Sequence, residues 1–400
     1  MIFIIILLIT IVFILLGVNI FNYLFSIAIT TAFNLNLDYV QIKYLLSVAV
    51  ERIIKSDELI TIPFYIILSL FFIRYKILEN LFKFIIKLKL SKFFKFFLMF
   101  FIPSLFLPSS VLSNKFILAF LKRYKLMDKK DTLIFSHIFA IFNFLSPLSI
   151  PILVYAFLLK LSLKTVFLTF SLFSLIYFFA NYLIFLRKIK VNTINLSEYD
   201  KRDTVLTIIL FLLFIYMLFV PYSIFDIILF MNLIFVGYII ITKKWHNKIN
   251  LLIINEVFER SGVLLGLLIM LFFFNILVVY GKYNDSLSNL VLSFFSDKYI
   301  LIMILLLISF VMCQFFDPLA VLIILFPFYN VLINEYMFNK YIFGYSFMGF
   351  LTLGFFSMIK NLMLHHYVSK LNYTKSEINV DLLGFMLFIG LFSMLLIFIV

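Results

Sequence analysis

Four places in this sequence put hydroxyl, amide or charged side chains inside long apolar runs. The first follows Pro108 and holds Ser109, Ser110, Ser113 and Asn114. The second holds Asn143, Ser146, Pro147, Ser149 and Pro151. The third is Asp317 with Pro318, and the fourth is Ser357 with Lys360 and Asn361. Prolines and serines of this kind end one half-helix and begin another. A half-helix N-terminus offers N–H groups to an anion, and a C-terminal carbonyl suits a cation such as Na⁺. Ser109, Ser110 and Ser113 are the candidate Na⁺ ligands. The structural alternative is a proline kink whose serines bond back to the helix. Repetition in two halves of the chain favours binding.

Two charged residues carry readings of their own. Asp317 inside an apolar run is a functional carboxylate or the N-cap of a helix, and both roles are compatible. Lys360, in mid-run, needs a partner, and Asp317 is the natural one; the alternative is an ammonium that snorkels or faces a cleft. His365 and His366 read as interfacial rather than as metal ligands. The chain has none of the HExxH, GxSxG or P-loop patterns, which argues against an enzyme and for an ion gradient or a separate ATPase as energy source.

The elements that hold these residues follow from composition. The 400 residues are 65% hydrophobic and 13% charged, whereas a soluble domain is about half apolar and a quarter charged. At about 20 apolar residues per crossing there is room for roughly ten to twelve membrane helices. The 57 phenylalanines, high together with Ile, Lys, Asn and Tyr, read as a compositional bias and not as a cofactor box. The single cysteine, Cys313, rules out an internal disulfide and a cysteine metal cluster. A net charge of +14 does not point to nucleic acid, because the basic residues sit in short loops between apolar runs. The opening run, from Met1 to Gly17, has no basic start and no cleavage site, and reads as a retained helix.

Loop charges orient the runs. Residues 34–58 are slightly acidic and read as an external loop. Residues 74–95 carry seven basic side chains against Glu79 alone, and read as a cytoplasmic amphipathic helix. The loop 122–131 is also basic, so the run 93–121 between them is expected to enter and return on one side, with its tip near Pro108-Ser109-Ser110. The run 299–333, interrupted at Phe316-Asp317-Pro318, is expected to be a second hairpin entering from the other face. Each hairpin precedes a long helix with an irregular centre, 132–159 and 341–364. The expected fold is therefore all-α and polytopic, with inverted repeats, two re-entrant hairpins and two discontinuous helices. Its parts are N-terminal scaffold helices and an interfacial arm (1–92), a first repeat (93–186), connecting helices (187–260) and a second repeat (261–400).

Four strings resemble, in order, the large membrane subunit of tripartite ATP-independent periplasmic (TRAP) transporters. They are Asp57-Glu58-Leu59-Ile60-Thr61-Ile62-Pro63-Phe64, Leu107-Pro108-Ser109-Ser110-Val111-Leu112-Ser113, Ser146-Pro147-Leu148-Ser149-Ile150-Pro151 and Phe315-Phe316-Asp317-Pro318-Leu319-Ala320. The sequence departs from that family in lacking the hairpin glycines and, around Ser357 and Lys360, both prolines of the second broken helix. The resemblance implies an elevator-type, Na⁺-coupled importer of a small organic acid such as a dicarboxylate, in the bacterial inner membrane. It also implies two partners, a small membrane subunit and a periplasmic binding protein. The alternatives are a stand-alone elevator carrier for anions, a divergent membrane protein that does not transport, and a membrane enzyme or assembly factor for lipid-linked substrates.

Overall fold

The computed structural model describes residues 20–191, 198–220, 222–281, 298–314 and 317–355. Among these residues the fold is all-helical, with no strand. The helices are α1 (Ile20–Asn34), α2 (Tyr39–Ile54), α3 (Asp57–Arg74), α4 (Ile77–Lys87), α5 (Lys92–Phe106), α6 (Ser110–Tyr124), α7 (Lys129–Leu145) and α8 (Ile150–Leu158). They continue as α9 (Leu163–Ile184), α10 (Lys201–Phe219), α11 (Ile224–Ile241), α12 (Asn247–Tyr280), α13 (Lys298–Cys313), α14 (Pro318–Glu335) and α15 (Lys340–Phe355).

Four described segments are long and apolar enough to cross a membrane: Lys129–Leu158, Leu163–Ile184, Ile224–Ile241 and Asn247–Tyr280. Counting α2 and α3 as one bent span makes five. The described residues form two compact units, one from Ile60–Phe258 and one from 20–59 with 259–355.

The unit Ile60–Phe258 contains α4 to α11. Its α4 is the amphipathic helix expected within 74–95, but most of it is buried, including Glu79 and Lys83. It packs on α10 and α5. Phenylalanines bind α5, α7 and α9. Phe100, fully buried, meets Phe135, Phe139 and Phe142 edge-on with centroids 5.1–5.5 Å apart, and lies 5.3 Å from Phe178. Edge-to-face rings supply packing energy that does not need water expulsion, and packing is what drives helix association in lipid.

Both ends of the α5–α6 pair are tied to α4. At the start of α5, the Lys95 ammonium donates to the Ile86 carbonyl at 2.8 Å. At the end of α6, Arg123 donates to Glu79 at 2.8 Å and the Tyr124 hydroxyl to the other Glu79 oxygen. Glu79 and Ile86 stand about 10 Å apart along a helix of this pitch. The chain leaves α4, runs out along α5, turns at 107–109 and comes back along α6 to the same short helix.

The other unit is held by α13, α14 and α15. Ser309 on α13 hydrogen-bonds the Tyr329 hydroxyl of α14, which also donates to the Leu305 carbonyl at 2.9 Å. Tyr329 packs at a tilt of 42° against Phe347 of α15 with centroids 4.1 Å apart. Gly354 lets α15 approach α13 closely: a Cβ there would lie 2.4 Å from the Cys313 Cβ and 2.6 Å from the Phe310 carbonyl oxygen.

The stretch 34–58, expected as a loop, contains α2 instead. Asp38 and Gln41 form a capping box at its start, an arrangement that specifies a helix locally. The polar first part of α12 is anchored to the end of α3: Tyr75 donates to Asn250 and Arg74 to Glu256, each at 2.7 Å.

Candidate functional site

The break between α5 and α6 exists because Pro108 cannot donate an N–H. Three carbonyls at the end of α5 then need other donors, and side chains supply them. The Ser104 carbonyl accepts from the Ser146 hydroxyl at 3.4 Å, Leu105 from Tyr65, and Phe106 from Ser69 at 2.7 Å. Ser109 is the N-cap of α6 and accepts from the Leu112 N–H at 3.5 Å. Ser113 donates to the Ser110 carbonyl at 2.8 Å.

The second break, between α7 and α8, repeats this logic at Pro147. The Phe144 carbonyl accepts from the Ser149 hydroxyl at 2.7 Å, and Leu145 from Ser174 of α9 at 2.8 Å. Asn143 gives its carbonyl to the Ser146 N–H at 3.3 Å. Pro151 occupies the first turn of α8, where no N–H is needed. The apolar window of this broken helix is wholly buried inside the chain, the condition under which irregular backbone is tolerated in a membrane.

The two breaks touch. The Ile150 N–H, at the start of α8, donates to the Pro108 carbonyl at 3.1 Å. With the Ser146–Ser104 bond, this joins two interrupted helices at their interruptions. Ser113, Asn143, Ser146 and Ser149 are all buried there, as are Ser110, Asn114 and Pro147; Ser109 and Pro151 are half-buried. The structure thus gathers Ser109, Ser110, Ser113 and Asn114 with Asn143, Ser146, Pro147, Ser149 and Pro151 along α6 and the two breaks.

Most of those serines have spent their proton on a backbone carbonyl. Their oxygens keep lone pairs, so what they still offer is acceptor capacity. Asn143 differs. It is fully buried, and among the described residues neither its amide oxygen nor its amide nitrogen has a hydrogen-bond partner. A buried polar group left unmade costs about 1–3 kcal/mol. Asn143 and Ser110 lie equally far along the chain from the turn that joins α6 to α7, and those two helices pack extensively. The amide therefore sits at the level of the α6 N-terminus, with one acceptor and two donors to give a ligand.

The third polar place, Asp317 with Pro318, departs from expectation. Asp317 is exposed, not buried, and its carboxylate caps α14 by accepting from the Leu319 N–H at 2.9 Å. The capping role is therefore seen. Pro318 is buried as the first residue of α14. Ser357, Lys360 and Asn361, with the pairing of Lys360 to Asp317, lie outside the described residues.

Two ionic clusters escaped the sequence reading. Asp203, 2% exposed, accepts from the Lys244 ammonium at 2.7 Å, the Tyr238 hydroxyl at 2.6 Å and the Asn80 amide at 2.7 Å. Asp200 shares Lys244 at 2.8 Å. In the second cluster, Glu79 holds Lys83 at 3.4 Å as well as Arg123 and Tyr124. Spacing of Glu79 and Lys83 by four residues was the one available signal; Asp203 joins residues far apart in the chain and gave none.

No protein-family model and no curated protein sequence matches this chain.

Proposed function

We propose that this chain is a multi-pass membrane protein of the inner membrane that acts as the transporting subunit of a secondary carrier, with its site where the α5–α6 and α7–α8 breaks cross. The single observation that carries the reading is the buried Asn143 amide, without a hydrogen-bond partner among the described residues, beside two joined helix breaks. A folded chain keeps such a group when a ligand completes it, and crossed broken helices are where membrane carriers place ion and substrate sites. The serine oxygens at Ser109, Ser110, Ser113 and Ser146 suit a Na⁺ ion, and the Asn143 NH₂ with the α6 N-terminus suits a carboxylate.

The return of α6 to the helix that launches α5 favours a re-entrant hairpin over a crossing. With the resemblance stated above, the substrate class is a small organic acid such as a dicarboxylate. The coupling ion is Na⁺, and the partners are a small membrane subunit and a periplasmic binding protein. The motion is of the elevator type.

The test is uptake of labelled dicarboxylates into proteoliposomes, with the candidate partners and with or without an inward Na⁺ gradient. Uptake that needs the gradient and is lost in Asn143→Leu supports the reading. Uptake by the chain alone would favour the stand-alone carrier. Absence of gradient-dependent uptake of any organic acid, with the partners present, would sink the proposal.

A further inference from the structure

A cavity of about 430 Å³ lies in the unit Ile60–Phe258, away from the helix breaks, at the basic end of α5. Three of its lining residues are lysines, Lys92, Lys95 and Lys190, and the rest are apolar, among them Leu90, Phe96 and Met99. The ammonium groups of Lys92 and Lys95 are fixed. Lys92 donates to the Arg187 carbonyl at 2.6 Å and Lys95 to the Ile86 carbonyl at 2.8 Å. Each ammonium has three N–H donors, so each keeps two for another acceptor. None of the ion pairs formed among the described residues involves these three lysines. One carboxylate is near: Asp131 accepts from the Lys190 backbone N–H at 3.4 Å and favours the charged form of Lys92. Three cations against one carboxylate leave the cavity positive. Burial opposes the charge on Lys92 more than Asp131 supports it, so an anion in the cavity would relieve a cost the protein's own groups leave.

We infer that this cavity binds a phosphate group, and that the phosphate is the headgroup of an anionic membrane lipid. The chemistry of the lining selects the ligand. Fixed lysines recognise a phosphate as point charges, and the apolar half of the lining suits glycerol and the first acyl carbons. Basic pockets between helices on the cytoplasmic side are where anionic headgroups bind. The inference rests on the membrane reading and on no part of the transport mechanism.

The experiment is native mass spectrometry of the full chain in detergent, titrated with phosphatidylglycerol, phosphatidylcholine or inorganic phosphate. The expected result is one phosphatidylglycerol retained in clear preference to phosphatidylcholine. Lys92→Met with Lys95→Met should weaken that binding by roughly thirty-fold, about fivefold for each lysine near an anionic lipid. Lys92→Arg with Lys95→Arg keeps the charge and should restore it, which separates loss of a site from loss of the fold. Lys129→Met, outside the cavity lining, should leave it unchanged. Equal retention of the two lipids, or equal retention by the parent and the methionine pair with the arginine pair folded, overturns the inference. Protection by inorganic phosphate with no lipid preference overturns the lipid assignment.

Discussion

Asn143 bears a cost in the folded chain that a leucine of similar size would not. Replacing an unsatisfied buried amide by an apolar side chain is nearly neutral or stabilising. Asn143→Leu should therefore keep or raise the melting temperature in detergent while cutting uptake by more than tenfold. If uptake survives, the amide is a packing defect and not a ligand. Asp203 behaves in the opposite way. It is buried, and three donors converge on it. Asp203→Ala leaves those donors without their acceptor and should cost about 3 kcal/mol, the lower end for breaking a buried pair, read as a loss of thermal stability. Its neighbour Asp200 titrates. The Lys244 hydrogen bond holds the Asp200 carboxyl below its ordinary value of 3.8, against burial. That stabilisation is present above the ordinary carboxylate pKa and is lost as pH falls through the lower folded value. Burial lowers Lys244, but its bonds to Asp200 and Asp203 together outweigh it and raise the ammonium above 10.5. This part is present below the ordinary lysine pKa and disappears as pH rises through the folded one. Lys244→Met should flatten both limbs of a melting temperature measured against pH; limbs as steep as the parent's would remove the cluster from the account.

Among the elements, the breaks were legible because proline and serine act locally. Pro108 and Pro147 each remove a donor from the backbone, and a helix ends two residues before each, while Pro318 opens α14, where no N–H is needed. The partners that make those breaks tolerable were not legible. Tyr65 and Ser69 read as ordinary positions of an apolar helix, yet their hydroxyls complete α5; only the tertiary fold brings them there. Ser69→Ala should leave the Phe106 carbonyl unsatisfied and cost about 1–3 kcal/mol, and a melting temperature equal to the parent's would count against this. The misplaced element has the same origin. An apolar-run reading treats balanced charge as loop, and α2, with Tyr39, Val40 and Ile54 exposed, gives it no apolar run to find. Asp317 lies between apolar residues in sequence, yet its side chain is exposed. In the second unit Gly354 carries the approach of α15 to α13. Gly354→Ala should destabilise by about 1–3 kcal/mol through overpacking. Cys313→Ala should not rescue it, because the alanine keeps the Cβ and the Phe310 carbonyl stays in place. Full rescue would mean that the helices move apart freely.

At the scale of the molecule, the two helices α5 and α6 pose the deciding question of topology. Each has 15 residues, about 22 Å of helix, against a hydrocarbon core of about 30 Å. Neither crosses alone. Laid end to end they would carry Lys92 and Lys122 to opposite sides, and one basic cluster would face outward against the positive-inside tendency. The bonds of Lys95 and Arg123 to one short helix oppose that arrangement. They require α6 to end beside the start of α5, so on the proposed hairpin reading the break at 107–109 would lie at depth and both basic ends at one surface. A cysteine at Lys89 and another at Asp128, each introduced singly with Cys313 replaced by alanine, should both react with an impermeant maleimide from the cytoplasmic side, and neither from outside. Labelling of the two from opposite sides would make α5 and α6 one continuous crossing. The serines at the break would then line an ordinary kink, and the crossed breaks would lose the access from one side at a time that a carrier needs.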